Sequence, residues 1–191
     1  MNKFKGIALV AAGFAVAISS PASAAKSKKA GKAEDAGPVI AIPPPPEGKG
    51  QIVWFRPGGM GFALGCSVNE NGQKVSSLGA GKYFIMVADP GTHEFTVKSE
   101  AKDTIKLLVE DGETQFGKCK IKMGIIVGRP DIQPSTEQEF RKEKKLKMVD
   151  AEDMGPGPGA LRPTEVAEKL GVSVESLGSK EKGGESSGGG D

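Results

Sequence analysis

Short runs in which apolar and polar residues alternate fill the middle of the chain, over residues 51–132. An alternation with period two is the pattern of a β-strand that buries one face. Turn dipeptides such as Asn71-Gly72 and Asp111-Gly112 separate the runs, as they do in hairpins. The apolar positions of the runs are Phe62, Leu64, Cys66 and Val68; Tyr83, Ile85 and Val87; His93, Phe95 and Val97; Ile105, Leu107 and Val109; and Cys119, Ile121 and Met123.

Two further apolar runs, residues 52–55 and 75–78, bring the expected total to about seven strands with turns at regular intervals. No run in this part of the chain has the period of a helix. The pattern therefore predicts an all-β fold, a single antiparallel β-sandwich over residues 50–134.

The composition changes on both sides of this domain. The chain has 28 glycines and 13 prolines among 191 residues, and only 37% of its residues are apolar. Residues 25–49 are basic and contain four consecutive prolines, Pro43 to Pro46, which favour an extended polyproline II spacer. A ligand for a proline-binding domain is the alternative. Residues 179–191 contain no apolar residue, and we expect a disordered Gly/Ser tail.

The segment after the sandwich, residues 135–154, is charged and has some helical character. Phe140 and Leu146 are too sparse to form an apolar helix face. Its five basic residues between 141 and 147 are interleaved with acids. We therefore expect a solvated segment rather than a helix that binds a partner.

Residues 155–178 predict a short helical segment. Val166, Ala167 and Leu170 form one helical stripe, and Thr164 is the expected cap. The pattern is similar to the opening of a helix-turn-helix, but a DNA-reading unit needs a second helix with basic or amide side chains. The chain instead continues into glycine, which favours a small docking helix.

The first 24 residues have the three parts of an export signal. Lys3 and Lys5 give a positive start, residues 7–18 are apolar, and small residues end at Ala24, the expected cleavage position. A membrane-spanning helix needs about 20 apolar residues, so a cleaved signal is favoured over an anchor. The chain is expected in the periplasm or outside the cell.

The net charge of the chain indicates which class of partner to expect. Lys and Arg number 26 against 24 Asp and Glu, and the expected signal carries two of the lysines and no acid. The exported chain is therefore close to neutral, whereas nucleic-acid-binding domains usually have a basic excess. We expect no nucleic-acid partner.

The two cysteines, Cys66 and Cys119, both lie on the apolar side of their strands. An even number of cysteines in an exported protein favours a structural disulfide. Two buried thiols that act as small apolar groups are the alternative. A redox pair is less favoured because the spacing is not that of Cys-x-x-Cys.

No catalytic, cofactor-binding or metal-binding residue is expected. His93, the only histidine, is in register with Phe95 and Val97, which predicts a core or sheet-edge position. Zinc needs several His or Cys ligands, and none clusters with it. Gly59-Met60-Gly61 leads into the predicted strand at Phe62 rather than into a helix, so an inter-strand loop is favoured over a phosphate-binding loop.

Lys118, Lys120 and Lys122 project from one face of the last predicted strand. Lysines at this position commonly keep a sheet soluble and protect its edge from aggregation. The alternative is a basic interaction face for an anionic envelope polymer or lipid head group.

Four short motifs occur over about residues 50–134: Trp54-Phe55-Arg56-Pro57, Asn71-Gly72, Leu78 with Gly81-Lys82-Tyr83-Phe84, and Pro90-Gly91-Thr92-His93. The chain resembles a family of bacterial envelope domains of unknown function, many of them in lipoproteins, with aromatic-Arg-Pro and Pro-Gly-x-His motifs. The resemblance implies a small β-sandwich without established enzymatic activity. The acylated cysteine of the lipoprotein members is missing.

These observations favour an exported, non-enzymatic module of the cell envelope that binds a partner or serves as a structural part. An envelope protein, a glycan or a lipid surface is the expected partner, without a cofactor or a transmembrane span. The alternative is an exported enzyme that uses a loop site near residues 56–61 and His93.

Overall fold

A computed structural model describes residues 39–59, 63–98, 102–125 and 128–179. They belong to one compact unit, Asp35–Asp191. The expected signal peptide with its cleavage position at Ala24 lies outside the described residues, as do most of the basic linker and all but the first residue of the expected tail. Within the described part of the chain, no helix is both long and apolar enough to cross a membrane.

The described residues are mostly β, with nine strands in two sheets and two short α-helices. The strands are β1 Gly50–Arg56, β2 Cys66–Glu70, β3 Gln73–Leu78, β4 Lys82–Ala88, β5 Gly91–Lys98, β6 Lys102–Val109, β7 Thr114–Lys122, β8 Arg129–Ser135 and β9 Lys147–Met148. The helices are α1 Glu137–Lys142 and α2 Pro163–Leu170, and 3-10 turns occupy Ala151–Asp153 and Val174–Leu177.

The first sheet has the order β8-β7-β1-β4-β9 and the second the order β3-β2-β5-β6. Most neighbours are antiparallel, but β1 pairs with β7 in parallel, and so does β4 with β9. The expectation of a purely antiparallel fold is wrong at these two pairs. Between β1 and β7 the chain builds the whole second sheet, and a crossover of this length permits parallel pairing.

The two sheets enclose a first apolar core. Trp54 of β1 is fully buried there, with its ring centroid 5.0 Å from that of Phe95 and 6.5 Å from that of Phe84. Gly117 of β7 lies directly against the Trp54 ring, where a Cβ atom would come within 2.6 Å. The expected disulfide is present and joins Cys66 of β2 to Cys119 of β7, with Cα atoms 6.6 Å apart. It therefore connects the two sheets through their shared core.

A second apolar core lies on the other face of the first sheet. Phe140 of α1 is fully buried, and its ring centroid lies 5.4, 5.6 and 5.8 Å from those of Phe55, Phe116 and Tyr83. Leu146 is also buried, at 8% exposure. The expectation that residues 135–154 are solvated is therefore not met, because their few apolar side chains cover the sheet.

Helix α2 covers another part of the same face. Val166 and Ala167 are buried, and Leu170 packs against the second core. The helix begins at Pro163, one residue before the expected cap at Thr164. The Glu165 carboxylate accepts a hydrogen bond of 2.6 Å from the backbone N–H of Arg162, the N-cap residue. Proline is well suited to the first helical position because its missing N–H would be unpaired there.

The proline run also belongs to the folded unit. Pro43 is buried, and its carbonyl accepts a hydrogen bond of 2.8 Å from Nε2 of Gln51 on β1. Ile40 and Ile42 pack against the second core. In this part of the chain the structure differs from the expected spacer, since Pro43 lies on the sheet, although Pro44 and Pro46 are exposed.

Replacing Phe140 by alanine should lower the free energy of unfolding by about 3–5 kcal/mol, because it leaves a cavity between three aromatic rings. Urea unfolding measures this change. Val172→Ala is the control, since Val172 follows α2 and its side chain is 43% exposed. If both variants lowered the free energy of unfolding by similarly small amounts, this would contradict the packing of Phe140 on the first sheet.

Removing the disulfide with Cys66→Ala and Cys119→Ala should cost about 4 kcal/mol, because the bridge closes a long loop in the unfolded chain. The two cysteines are 53 residues apart. Urea unfolding with and without reductant provides the measurement. Reductant should destabilise the parent chain and leave the double variant unchanged.

Candidate functional site

The two regions proposed for a loop-based enzyme site lie at opposite ends of β1. In the β1–β4 ladder, Arg56 pairs with Lys82, and Gly50 pairs with Ala88, next to the turn that precedes His93. Six residue steps of a strand span about 20 Å. The structure therefore does not bring Arg56 and His93 into one site.

Arg56 forms backbone contacts at its end of the sheet. It is buried, and Nη1 donates hydrogen bonds to the carbonyls of Leu64 and of Leu78, the latter at 3.2 Å. Burial lowers the pKa of Arg56. The neighbouring residues Met60 and Gly61 lie outside the described residues. The guanidinium holds the loop before β2 and the end of β3 against β1.

His93 lies in a cleft of about 330 Å³ at the other end of the sheets. Its Nδ1 is 2.5 Å from Oε1 of Glu70, and its Nε2 is 2.8 Å from the backbone oxygen of Asp89. Lys49 forms an ion pair with the Asp89 side chain at the rim. A backbone carbonyl can only accept a hydrogen bond, as can an ionised carboxylate, so this geometry suits an imidazolium that donates from both nitrogens.

The electrostatics of the cleft agree with this assignment. Burial alone lowers the pKa of His93, but the hydrogen bonds to Glu70 and to the Asp89 backbone outweigh it and raise the pKa above its ordinary value. A histidine with both nitrogens occupied offers no lone pair to a metal and no base to a substrate. It connects the start of β5 to the end of β2 and to the β4–β5 turn.

Sequence reasoning placed His93 near a sheet edge but missed its carboxylate partner. Glu70 directly precedes the Asn71-Gly72 turn. The alternation that buries Cys66 and Val68 also puts Glu70 on the inward face of β2, where it is only 6% exposed. The inward position of Glu70 in this alternation was the available signal for a partner, because a buried carboxylate requires one.

The three lysines of β7 share one face of the first sheet, but their surroundings differ. Lys118 is only 6% exposed, and its Nζ donates to Oε2 of Glu139 on α1 at 2.7 Å. Lys120 and Lys122 are exposed. Lys122 forms an ion pair of 2.5 Å with Asp131 on β8. The part of the predicted interaction face that solvent can reach is therefore Lys120 and Lys122.

No three His, Cys, Asp or Glu side chains within the described ranges are grouped so that they could hold a metal ion. Comparison with protein-family models, curated proteins and solved structures finds no match to this chain. The resemblance to an envelope domain family therefore remains a prediction from the four motifs.

Stability should depend on pH through His93. Its pKa is raised in the folded state, so the stabilisation is complete below the unfolded pKa of about 6.5 and is lost as pH rises through the higher folded pKa. Urea unfolding across this window should show the advantage of the parent chain over His93→Gln decreasing as pH rises.

The chain has one histidine, so an NMR titration reports His93 without ambiguity. We expect its pKa to lie above the ordinary value and to fall in Glu70→Gln. An unshifted pKa in the parent chain would contradict the assignment.

Proposed function

We propose that this chain is an exported, non-enzymatic module of the bacterial cell envelope, a β-sandwich that binds a partner or serves as a structural part. The observation that carries the proposal is the Cys66–Cys119 disulfide between the two sheets. Such bridges persist in oxidising compartments and are rare in the cytosol. The signal-like residues 1–24 support the same compartment.

The chemistry of the described residues favours binding over catalysis. Arg56 is committed to backbone carbonyls, and both His93 nitrogens have acceptors. General acid–base catalysis needs a group that can exchange its proton with a bound substrate. We therefore place the binding function on the loops and exposed edges, which rigid sheets hold in place.

An exported hydrolase is the second candidate. The cleft beside His93 favours it, because Lys49, Glu70 and Asp89 also line that cleft. The two functions differ in their response to His93→Gln. A binding or structural module should capture the same partner in cell cross-linking as the parent chain, whereas an enzyme should lose turnover.

The proposal predicts that cell fractionation finds the chain in the periplasm or the medium, with an intact mass that begins at Ala25 and with no alkylatable thiol. Leu9→Arg is the matched control, because a charge in the apolar run should block export. That variant should retain Met1 and carry two reduced cysteines. A parent chain found in the cytosol with Met1 intact would contradict the proposal.

A further inference from the structure

The β7–β8 hairpin ends in apolar residues that face solvent. Met123 is 86% exposed and Ile125 is 94% exposed, the highest values among the large apolar side chains that the structure describes. Exposed apolar residues scattered singly are common on protein surfaces, whereas neighbouring ones that form a patch mark sites of interaction with proteins or membranes. We call Met123, Gly124 and Ile125 the hairpin tip.

The hairpin extends past the edge of the first sheet. Strand β1 ends at Arg56, and its last pair with β7 joins Phe55 to Lys118. Strands β7 and β8 stay paired beyond that point, up to Lys122 opposite Arg129. Four residue steps from Lys118 to Lys122 correspond to about 13 Å of strand, so the hairpin tip extends beyond the end of β1. Leu64, in the loop before β2, lies beside Gly128 at the base of the tip.

Basic side chains surround the base of the hairpin tip. Lys122 and Arg129 are exposed and lie directly opposite each other in the ladder, and Lys120 is exposed two residues further back on β7. Asp131 lies opposite Lys120 in the ladder, and its side chain forms an ion pair with Lys122. Three basic groups therefore surround one acid here, and the Lys122–Arg129 pair sets like charges opposite each other, which does not stabilise a sheet.

We propose that the hairpin tip inserts into the surface of an anionic lipid bilayer while Lys120, Lys122 and Arg129 contact its head groups. This inference rests on the proposed function, since an exported chain meets the lipids of the envelope. Apolar side chains gain free energy on entering the region between head groups and acyl chains, and basic side chains beside them are attracted to anionic lipid. The projecting shape needs no complementary pocket.

The charges disfavour a second copy of the chain as the occupant. Two hairpin tips that met would bring six basic groups together, which repel each other. A groove on another protein would cover Met123 and Ile125 equally well, but it would not depend on lipid charge. The experiment below distinguishes both of these alternatives from binding to lipid.

The test is co-sedimentation of the full exported chain with vesicles of phosphatidylglycerol and phosphatidylethanolamine in equal parts. Replacing Met123 and Ile125 together by serine should weaken partitioning about tenfold, because two apolar side chains no longer enter the lipid. Leu108→Ser is the matched control. Leu108 is 58% exposed but pairs with Thr92, next to His93 at the far end of the fold. The Leu108→Ser variant should partition like the parent chain.

Two further measurements separate the electrostatic attraction to the lipid from the insertion of apolar side chains. Binding should fall in high salt and on phosphatidylcholine vesicles, because screening and neutral lipid remove the attraction. The fluorescence of Ile125→Trp should shift to shorter wavelength on anionic vesicles. Trp54, the only native tryptophan, is fully buried and provides a constant background.

Equal partitioning of the parent chain and the serine variant would overturn the inference. A sedimentation-velocity dimer that the serine variant abolishes would assign the hairpin tip to self-association and would also overturn it. Neither result affects the proposed function, which depends on export and on the disulfide. Failure of export would instead remove the proposed function, whatever the vesicles show.

Discussion

The fold depends on the burial of β1 on both of its faces. All seven residues of Gly50–Arg56 are buried, and Trp54 and Phe55 point into different apolar cores. The backbone of a strand in this position is paired on both edges, here by β4 and β7. A sheet whose two faces are both apolar cannot be stable with one face in water, so a second cover is required in addition to the second sheet.

This constraint explains why the segments on both sides of the predicted sandwich are part of the folded unit. The continuous apolar run at residues 52–55 is the pattern of a strand buried on both faces, and it indicates that a cover exists. It does not say which segment supplies the cover. Phe140 lies among charged residues with no helical period around it, and only the finished sheet makes it a core residue.

The sites show the same division between what local pattern can and cannot predict. The alternation of apolar and polar residues along each strand placed Cys66 and Cys119 on inward faces, and it placed the β7 lysines together on an outward face. It could not tell that α1 covers Lys118, because that contact joins residues 21 positions apart. The contact between His93 and Glu70 likewise depends on how β2 lies beside β5, which no single strand specifies.

The position of the disulfide connects stability with the projecting hairpin. Cys119 lies opposite Ile132 and directly precedes Lys120, so the covalent link between the sheets is made where the hairpin leaves the body of the fold. Gly128 lies close to the side chains of Ile121 and Leu64 at the outer end of the hairpin. A surface element held in this way loses little conformational freedom on binding, so more of its contact energy contributes to affinity.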